Sequence, residues 1–166
     1  MNILITGAGG FIGSHVVECL ISKGFKINAL LKYNSNSDKG FLNDLSETQK
    51  KKIKIHFGDI RDGEFILDIT KNIDVIVNLA ALISIPHSYK SQNSYFDTNI
   101  GGTVNILNAA RRNNVKHTIL TSTSEVYGSA LYLPIDEKHP LQPQSPYSAS
   151  KIGSDAAGIS FFNSFN

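Results

Sequence analysis

Two short stretches of this sequence carry side chains whose types and spacing can move protons. Tyr147-Ser148-Ala149-Ser150-Lys151 sets a phenol and an ammonium four residues apart. On a helix, positions i and i+4 share a face. A free tyrosine, with a pKa of about 10, is a poor base at neutral pH. A neighbouring ammonium favours the phenolate and lowers that value. Each unit of lowering reflects about 1.4 kcal/mol of differential interaction. The second stretch, Thr121-Ser122-Thr123-Ser124-Glu125-Val126-Tyr127-Gly128, supplies hydroxyls able to hydrogen-bond a reacting oxygen. Glu125 adds a carboxylate that simple dehydrogenation does not need. The alternative is a Ser/Thr-rich loop with capping roles.

A third stretch is built for phosphate. Gly7-Ala8-Gly9-Gly10-Phe11-Ile12-Gly13 keeps the spacing G-x-x-G-x-x-G. Gly7 permits a tight turn, Gly10 a close backbone approach to a pyrophosphate, and Gly13 close helix–strand packing. The following helix start, at Phe11 and Ile12, offers N–H groups and a positive dipole end. A dinucleotide held there would bring an oxidised nicotinamide as a second group favouring the Tyr147 phenolate. The ribose position is less plain, because Leu30-Leu31-Lys32-Tyr33-Asn34 lacks the acid expected about 20 residues on. Lys32 reads as a surface lysine or as a partner for a 2′-phosphate, so NAD is the expected cofactor and NADP stays open. Asp59-Ile60 reads as an adenine bracket, or Asp59 as a turn or cap residue.

These residues need elements to place them. Short apolar runs at 2–6, 26–31, 53–57, 74–79 and 117–122 read as strands. Residues 11–23, 62–71, 94–113 and 147–162 read as helices, with a short one at 41–49. Leucine and proline residues punctuate a loop over 131–146, which holds four of the 5 prolines. Strands alternating with helices imply an α/β fold with a doubly wound (Rossmann) parallel sheet in the order 3-2-1-4-5. The glycine turn then follows the first strand, Glu125 the fifth, and Tyr147 opens the last helix.

Composition narrows the function. The chain has 166 residues, which reads as one domain over 1–166. Its 16 basic and 14 acidic residues leave +2, too little to argue for nucleic acid or a membrane surface. The run Lys50, Lys51, Lys52, Lys54 reads as a solvated face. The single cysteine, Cys19, excludes a disulfide framework or thiolate metal site, and its neighbours suggest a core position. The 5 histidines show no ligand spacing, so no metal is expected. The N-terminus lacks the pattern of a signal peptide, and the apolar stretch 74–86 is too short to span a bilayer. The cytoplasm is the expected location.

Together these pieces resemble the extended short-chain dehydrogenase/reductase family. The resemblance rests on the glycine turn, Asp59-Ile60, Asn78-Leu79-Ala80-Ala81, Asn99 with Gly102-Thr103, Thr123, and Tyr147/Lys151. Further segments look like the LegB-type NDP-N-acetylglucosamine 4,6-dehydratases: Tyr33 to Ser37, Gly40-Phe41-Leu42, Ala80-Ala81-Leu82-Ile83-Ser84-Ile85-Pro86, the Ser124 to Gly128 string, and Pro134 to Leu141. The resemblance implies a nucleotide-sugar substrate contacted by Ser84 and Thr123, and a cofactor held by the glycine turn, Leu79, Ala80, Ala81, Asn99, Tyr147 and Lys151. It implies oxidation at sugar C4 with Tyr147 as base, removal of the C5 proton by Glu125, loss of water from C6, and hydride return to C6. It implies surface-glycan biosynthesis, and it leaves a homodimer through the long helix and the Tyr147/Lys151 helix open.

One position departs from the pattern. Glucose-type dehydratases usually have an aspartate where Ser124 stands, as acid for the departing water. Either Glu125 serves twice or a water relays the proton. The Thr-Ser-Glu-Val-Tyr-Gly string is shared with UDP-glucuronate decarboxylases, and an NDP-sugar 4-epimerase would not need Glu125. Family members continue past the Tyr–Lys helix into further strands and a substrate domain, so the sequence reads as the N-terminal part of a longer enzyme. A non-catalytic nucleotide-binding fragment is the competing reading.

Overall fold

A computed structural model describes residues 1–165. The chain divides into two compact units, Met1–Ala80 with Asn105–Thr121, and Ala81–Val104 with Ser122 onward. The first holds the whole sheet. Its strands β1 (Asn2–Thr6), β2 (Lys26–Lys32), β3 (Ile53–Gly58), β4 (Val75–Asn78) and β5 (His117–Leu120) are all parallel, in the order β3-β2-β1-β4-β5. This is the doubly wound order expected from the alternation of elements. Order reverses between β1 and β4, which makes the gap beyond their carboxyl ends the switch point where such sheets bind ligands.

Alternation along the strands feeds two apolar layers. Ile3, Ile5, Ala29, Leu31 and Val75 pack with Val17 and Ile21 of α1 (Phe11–Ser22). Leu4, Leu30 and Ile76 point the other way, to Ile66 and Ile69 of α3 (Gly63–Ile69) and to Ile106, Ala109 and Ala110 of α6 (Gly102–Arg112). Both faces are therefore covered, as an all-parallel sheet requires.

The α1 contacts correct one expectation. Gly13, Ser14, Val17 and Ile21 form its buried face. Val16 and Leu20 pack half-buried against that core, while Phe11, Ile12, His15 and Cys19 are exposed; together the six line an open apolar hollow. An apolar stripe wider than half a helix has two candidate inner faces, and the smaller residues won because Gly13 and Ser14 allow the helix to lie close to the glycine turn.

Other boundaries also moved. The helix expected over 41–49 is a 3-10 turn at Gly40–Asp44 and then α2 (Glu47–Lys50). Ser46 separates them by capping α2: its hydroxyl accepts from Gln49 N–H, and the Gln49 side chain accepts from Ser46 N–H at 2.9 Å. Pro86 lies not in a loop but in the first turn of α4 (Ile85–Ser88), where its missing N–H costs nothing.

The second unit is helical. The long helix expected over 94–113 runs as α5 (Gln92–Tyr95), a π turn at Phe96–Gly101, and α6, which belongs to the first unit from Asn105 onward. π turns concentrate at functional positions, and this one carries Asn99. A 3-10 turn at Ser124–Val126 and α7 (Pro146–Phe165) complete the unit. The start of α7 is set by reciprocal serine caps. Ser145 Oγ accepts from Ser148 N–H at 3.0 Å, while Ser148 Oγ accepts from Ser145 N–H at 2.9 Å and from Gln144 N–H at 3.0 Å. Pro146 takes the first helical position, whose N–H needs no partner. Tyr147 thereby enters the helix in its first turn.

Candidate active site

Within the first unit, the turn after β1 is shaped by what its glycines lack. Gly7 has φ +65°, and a Cβ there would press on Leu79 C and Ala80 N at 3.0 Å. A Cβ on Gly13 would overlap Gly7 O and lie 2.8 Å from Ala8 Cα. Gly10, by contrast, is exposed, caps α1 without a side-chain hydrogen bond, and meets only its own turn. The first turn of α1 contains no acid. Bare N–H groups at the positive end of a 12-residue helix, with one open glycine beside them, fit an anionic phosphate.

Thr6 locks the neighbouring segment. Buried at the end of β1, its hydroxyl donates to Asn78 Oδ1 at 2.6 Å and accepts from Leu79 N–H at 3.1 Å and Ala80 N–H at 3.0 Å. Leu79 and Ala80, both expected at the cofactor, are thus brought against Gly7. A further close approach escaped the sequence reading. Gly40, at φ +58°, sits so near the turn that a Cβ would overlap Gly9 O, and Phe41 N–H donates to that same oxygen at 3.0 Å. Phe11 and Phe41 then meet edge to face at 5.9 Å.

Lys32 ends β2 exposed, opposite Gly58 in the register, and its charge reaches Asp59. The Arg61 side chain hydrogen-bonds Asp59 at 2.6 Å and holds its carboxyl below the usual aspartate range. Capping of α3 falls to Asp62, which accepts from Phe65 N–H at 3.1 Å. Ile60 is buried in the sheet core, and its carbonyl accepts from Asn105 Nδ2 at 3.1 Å.

Within the second unit, Tyr147 and Lys151 lie one turn apart on α7 and both are buried, at 7% and 8% exposure. Burial pushes the Lys151 ammonium below the ordinary lysine value, and the charge of Asp155 opposes that. Tyr95 packs edge to face on the Tyr147 ring at 6.3 Å, with its own hydroxyl donating to Ser84 O at 2.6 Å. Ser84 is exposed and caps α4, accepting from His87 N–H. Ala81 is half-buried nearby in the chain.

The Thr123 hydroxyl accepts from Glu125 N–H at 3.3 Å and so starts the 3-10 turn. That cap leaves its hydrogen to donate. Val126 anchors the turn by burial, while Ser124 and Glu125 project into solvent. The turn packs against α7, and Ser122, just before it, donates to the Asp155 carboxylate. Thr123, Glu125, Tyr147 and Lys151, the residues expected to move protons, therefore sit on two packed elements of one unit.

Asn99, expected at the cofactor, has its amide engaged by its own unit. It is buried; its Oδ1 accepts from Leu82 N–H at 2.8 Å, and its Nδ2 donates to Leu82 O at 2.9 Å and Ser150 Oγ at 2.9 Å. Thr103 and Ser154 hydroxyls meet at 2.9 Å one turn on, and a Cβ on Gly153 would strike Ile100. These partners of Asn99 were not anticipated; their signal was the small-residue spacing Ser150, Gly153, Ser154 along α7. Also missed was His139. It is buried, accepts from Leu131 N–H through Nε2 and lies 2.9 Å from Pro140 O through Nδ1, which makes it a staple of the exposed loop. Among the described residues no cluster of His, Cys, Asp and Glu could hold a metal, and no helix is long and apolar enough to cross a membrane.

A doubly wound sheet with glycines at its switch point is a nucleotide-binding architecture. The chain belongs to the NAD-dependent epimerase/dehydratase branch of the short-chain dehydrogenases/reductases, matching the family model for GDP-mannose 4,6 dehydratase over residues 4–166. It is 33% identical over 154 residues to the UDP-glucose 4-epimerase of Halalkalibacterium halodurans, covering 92% of this chain and 43% of that protein. It is 34% identical over 178 residues to the dTDP-D-glucose 4,6-dehydratase of Dictyostelium discoideum, covering 99% of this chain and 41% of that protein. The solved structure of DesIV, a dTDP-glucose 4,6-dehydratase from Streptomyces venezuelae with NAD and TYD bound, superposes with a TM-score of 0.87 at 32% identity. That match covers 99% of this chain and 52% of DesIV. The chain thus spans about half the length of the relatives it matches.

Proposed function

We propose that this chain carries the cofactor-binding and proton-transfer parts of an NAD-dependent nucleotide-sugar 4,6-dehydratase, acting on UDP- or GDP-N-acetylglucosamine. The observation that carries the reading is Glu125, an exposed carboxylate on the turn that packs against the Tyr147/Lys151 helix, its own N–H held by the Thr123 cap. Oxidation alone needs no such group. The glycine cradle, the acid-free start of α1, and DesIV's bound NAD support the cofactor.

When bound, NAD supplies the hydride acceptor for C4 and the donor for C6. The chain's residues handle the protons. Tyr147 removes the C4 hydroxyl proton as general base, with the Lys151 ammonium favouring its phenolate. Thr123 donates its remaining hydrogen to the same sugar oxygen. The C4 ketone acidifies the C5 hydrogen, which Glu125 takes. Ser124 is too weak an acid to replace an aspartate, so Glu125 returns that proton to the departing C6 hydroxyl, water leaves, and C5 is reprotonated with the proton that Tyr147 took from the C4 hydroxyl. Ser84 is assigned to the sugar nucleotide.

The test is incubation of a purified enzyme that contains this chain together with a substrate domain, with NAD and each sugar nucleotide, following products by mass spectrometry and reduced cofactor by absorbance. A 4-keto-6-deoxy product is expected. Glu125→Gln should still reduce cofactor yet lose at least about 100-fold in dehydration, the usual worth of a general base. Unchanged dehydration in that variant removes Glu125 from its role. The epimerase relatives favour a second reading, NDP-sugar 4-epimerase; a C4-inverted product retaining its C6 hydroxyl would replace the dehydratase.

A further inference from the structure

We propose that Asp155 is a positioning residue for the Tyr147/Lys151 pair: through Ser122 it ties the Thr123–Glu125 turn to α7, and it sets a carboxylate one helical turn beyond Lys151. The proposal rests on the reading of Tyr147 and Lys151 as the proton-transfer pair. Neither the glycine motif nor the Y-x-x-x-K spacing points to this residue.

The geometry comes first. Tyr147, Lys151 and Asp155 succeed one another at i, i+4 and i+8 on α7, the first two buried and Asp155 half-buried. Ser122 Oγ donates to Asp155 Oδ2, a hydrogen bond between residues 33 apart in sequence. Ser122 directly precedes Thr123, whose hydroxyl starts the turn bearing Glu125. A hydrogen bond to a charged acceptor is among the stronger kinds. This one fixes where the turn meets α7.

Electrostatics gives the carboxylate a second task. An exposed i, i+4 lysine–aspartate pair is worth only a few tenths of a kcal/mol. Lys151 is not exposed, and burial disfavours its ammonium. The elements packed against α7 carry other titratable groups: Glu125 on the 3-10 turn, His87 on α4, Tyr95 on α5 and Asp97 on the π turn. The charge of Asp155 raises the Lys151 value against the lowering by burial. That ammonium lies one turn from Tyr147 on the same helix.

Two substitutions separate the tasks. Asp155→Asn keeps an oxygen for Ser122 but removes the charge. Ser122→Ala keeps the charge but removes the tether. The chain labelled with carbon-13 at lysine Cε is titrated by NMR, with the Lys151 signal assigned by its loss in Lys151→Arg. Amide exchange is followed at Val126 and Tyr127, whose N–H groups bond Thr123 O and Ser124 O within the turn. Asp155→Asn is expected to move the Lys151 midpoint to lower pH, and Asp155→Glu to restore it. Ser122→Ala is expected to leave the midpoint in place while the two amides exchange about fivefold faster, the effect of losing one hydrogen bond. An unmoved midpoint in Asp155→Asn overturns the proposal. So does an equal shift in Ser122→Ala, or unchanged exchange there. None of these measurements needs sugar turnover, so a chain that converts no sugar counts against the dehydratase reading alone.

Discussion

The glycine cradle and the tyrosine helix hold their groups by opposite means. The cradle is made of missing atoms: Gly7, Gly9, Gly13 and Gly40 let backbone meet backbone where a methyl would collide. Around it lie apolar strands, with Thr6 as the main polar clamp. The tyrosine helix is held by small hydroxyls and one amide, with Ser148 and Ser145 capping its start and Ser150 and Ser154 meeting Asn99 and Thr103. A site made of backbone tolerates no addition. A site made of hydroxyl pairs is damaged by subtraction, to a degree set by how many partners each group serves.

That contrast can be broken experimentally. The largest effect is expected in the cradle. Gly13→Ala forces a Cβ into Gly7 O and should cost about 3 kcal/mol in urea unfolding, at the upper end for overpacking, with loss of NAD binding by calorimetry. Next comes Asn99→Leu in the helical unit, which strands the Leu82 N–H and carbonyl and should cost about 2–3 kcal/mol. If it unfolds normally but loses NAD affinity, Asn99 touches cofactor rather than bracing the chain. Ser154→Ala should cost only about 1 kcal/mol, because Thr103 still donates to Asn99 O at 2.7 Å. A cost equal to that of Asn99→Leu would show the hydroxyls acting as one inseparable network.

The smallest effect is electrostatic. The Asp59 carboxyl is held below its ordinary value of 3.8, first by the Arg61 side chain. Its contribution is therefore present above that value and is lost as pH falls through the lower folded one. Both side chains are partly exposed, at 48% for Arg61 and 32% for Asp59, so the pair is worth under about 1 kcal/mol. Asp59→Asn should flatten the acid limb of a stability-versus-pH curve by no more than that, and leave stability above pH 5 within about 1 kcal/mol. A larger loss at neutral pH would assign Asp59 a packing role.

Strand order, the glycine turn and the shared face of Tyr147 and Lys151 were legible because each is a local periodicity: two for strands, three to four for helices, three between glycines. The inner face of α1 was not legible, since Phe11, His15 and Cys19 make as good a stripe as Gly13, Val17 and Ile21 until a sheet is present to choose. Nor was the break at Ser46, where a cap outweighs a continuous helical pattern.

What the sequence determined by itself was therefore the class of fold, the glycine turn and the placing of Tyr147 and Lys151 one turn apart on a helix, because those depend on backbone freedom and on neighbours within one turn. Tertiary structure alone decided that Asn99 spends its amide inside the protein, that Gly40 must leave room for Gly9, and that Asp155 reaches Ser122. Hydrogen bonds and close approaches between distant segments obey no spacing rule. They are set by which surfaces the packed core brings into contact.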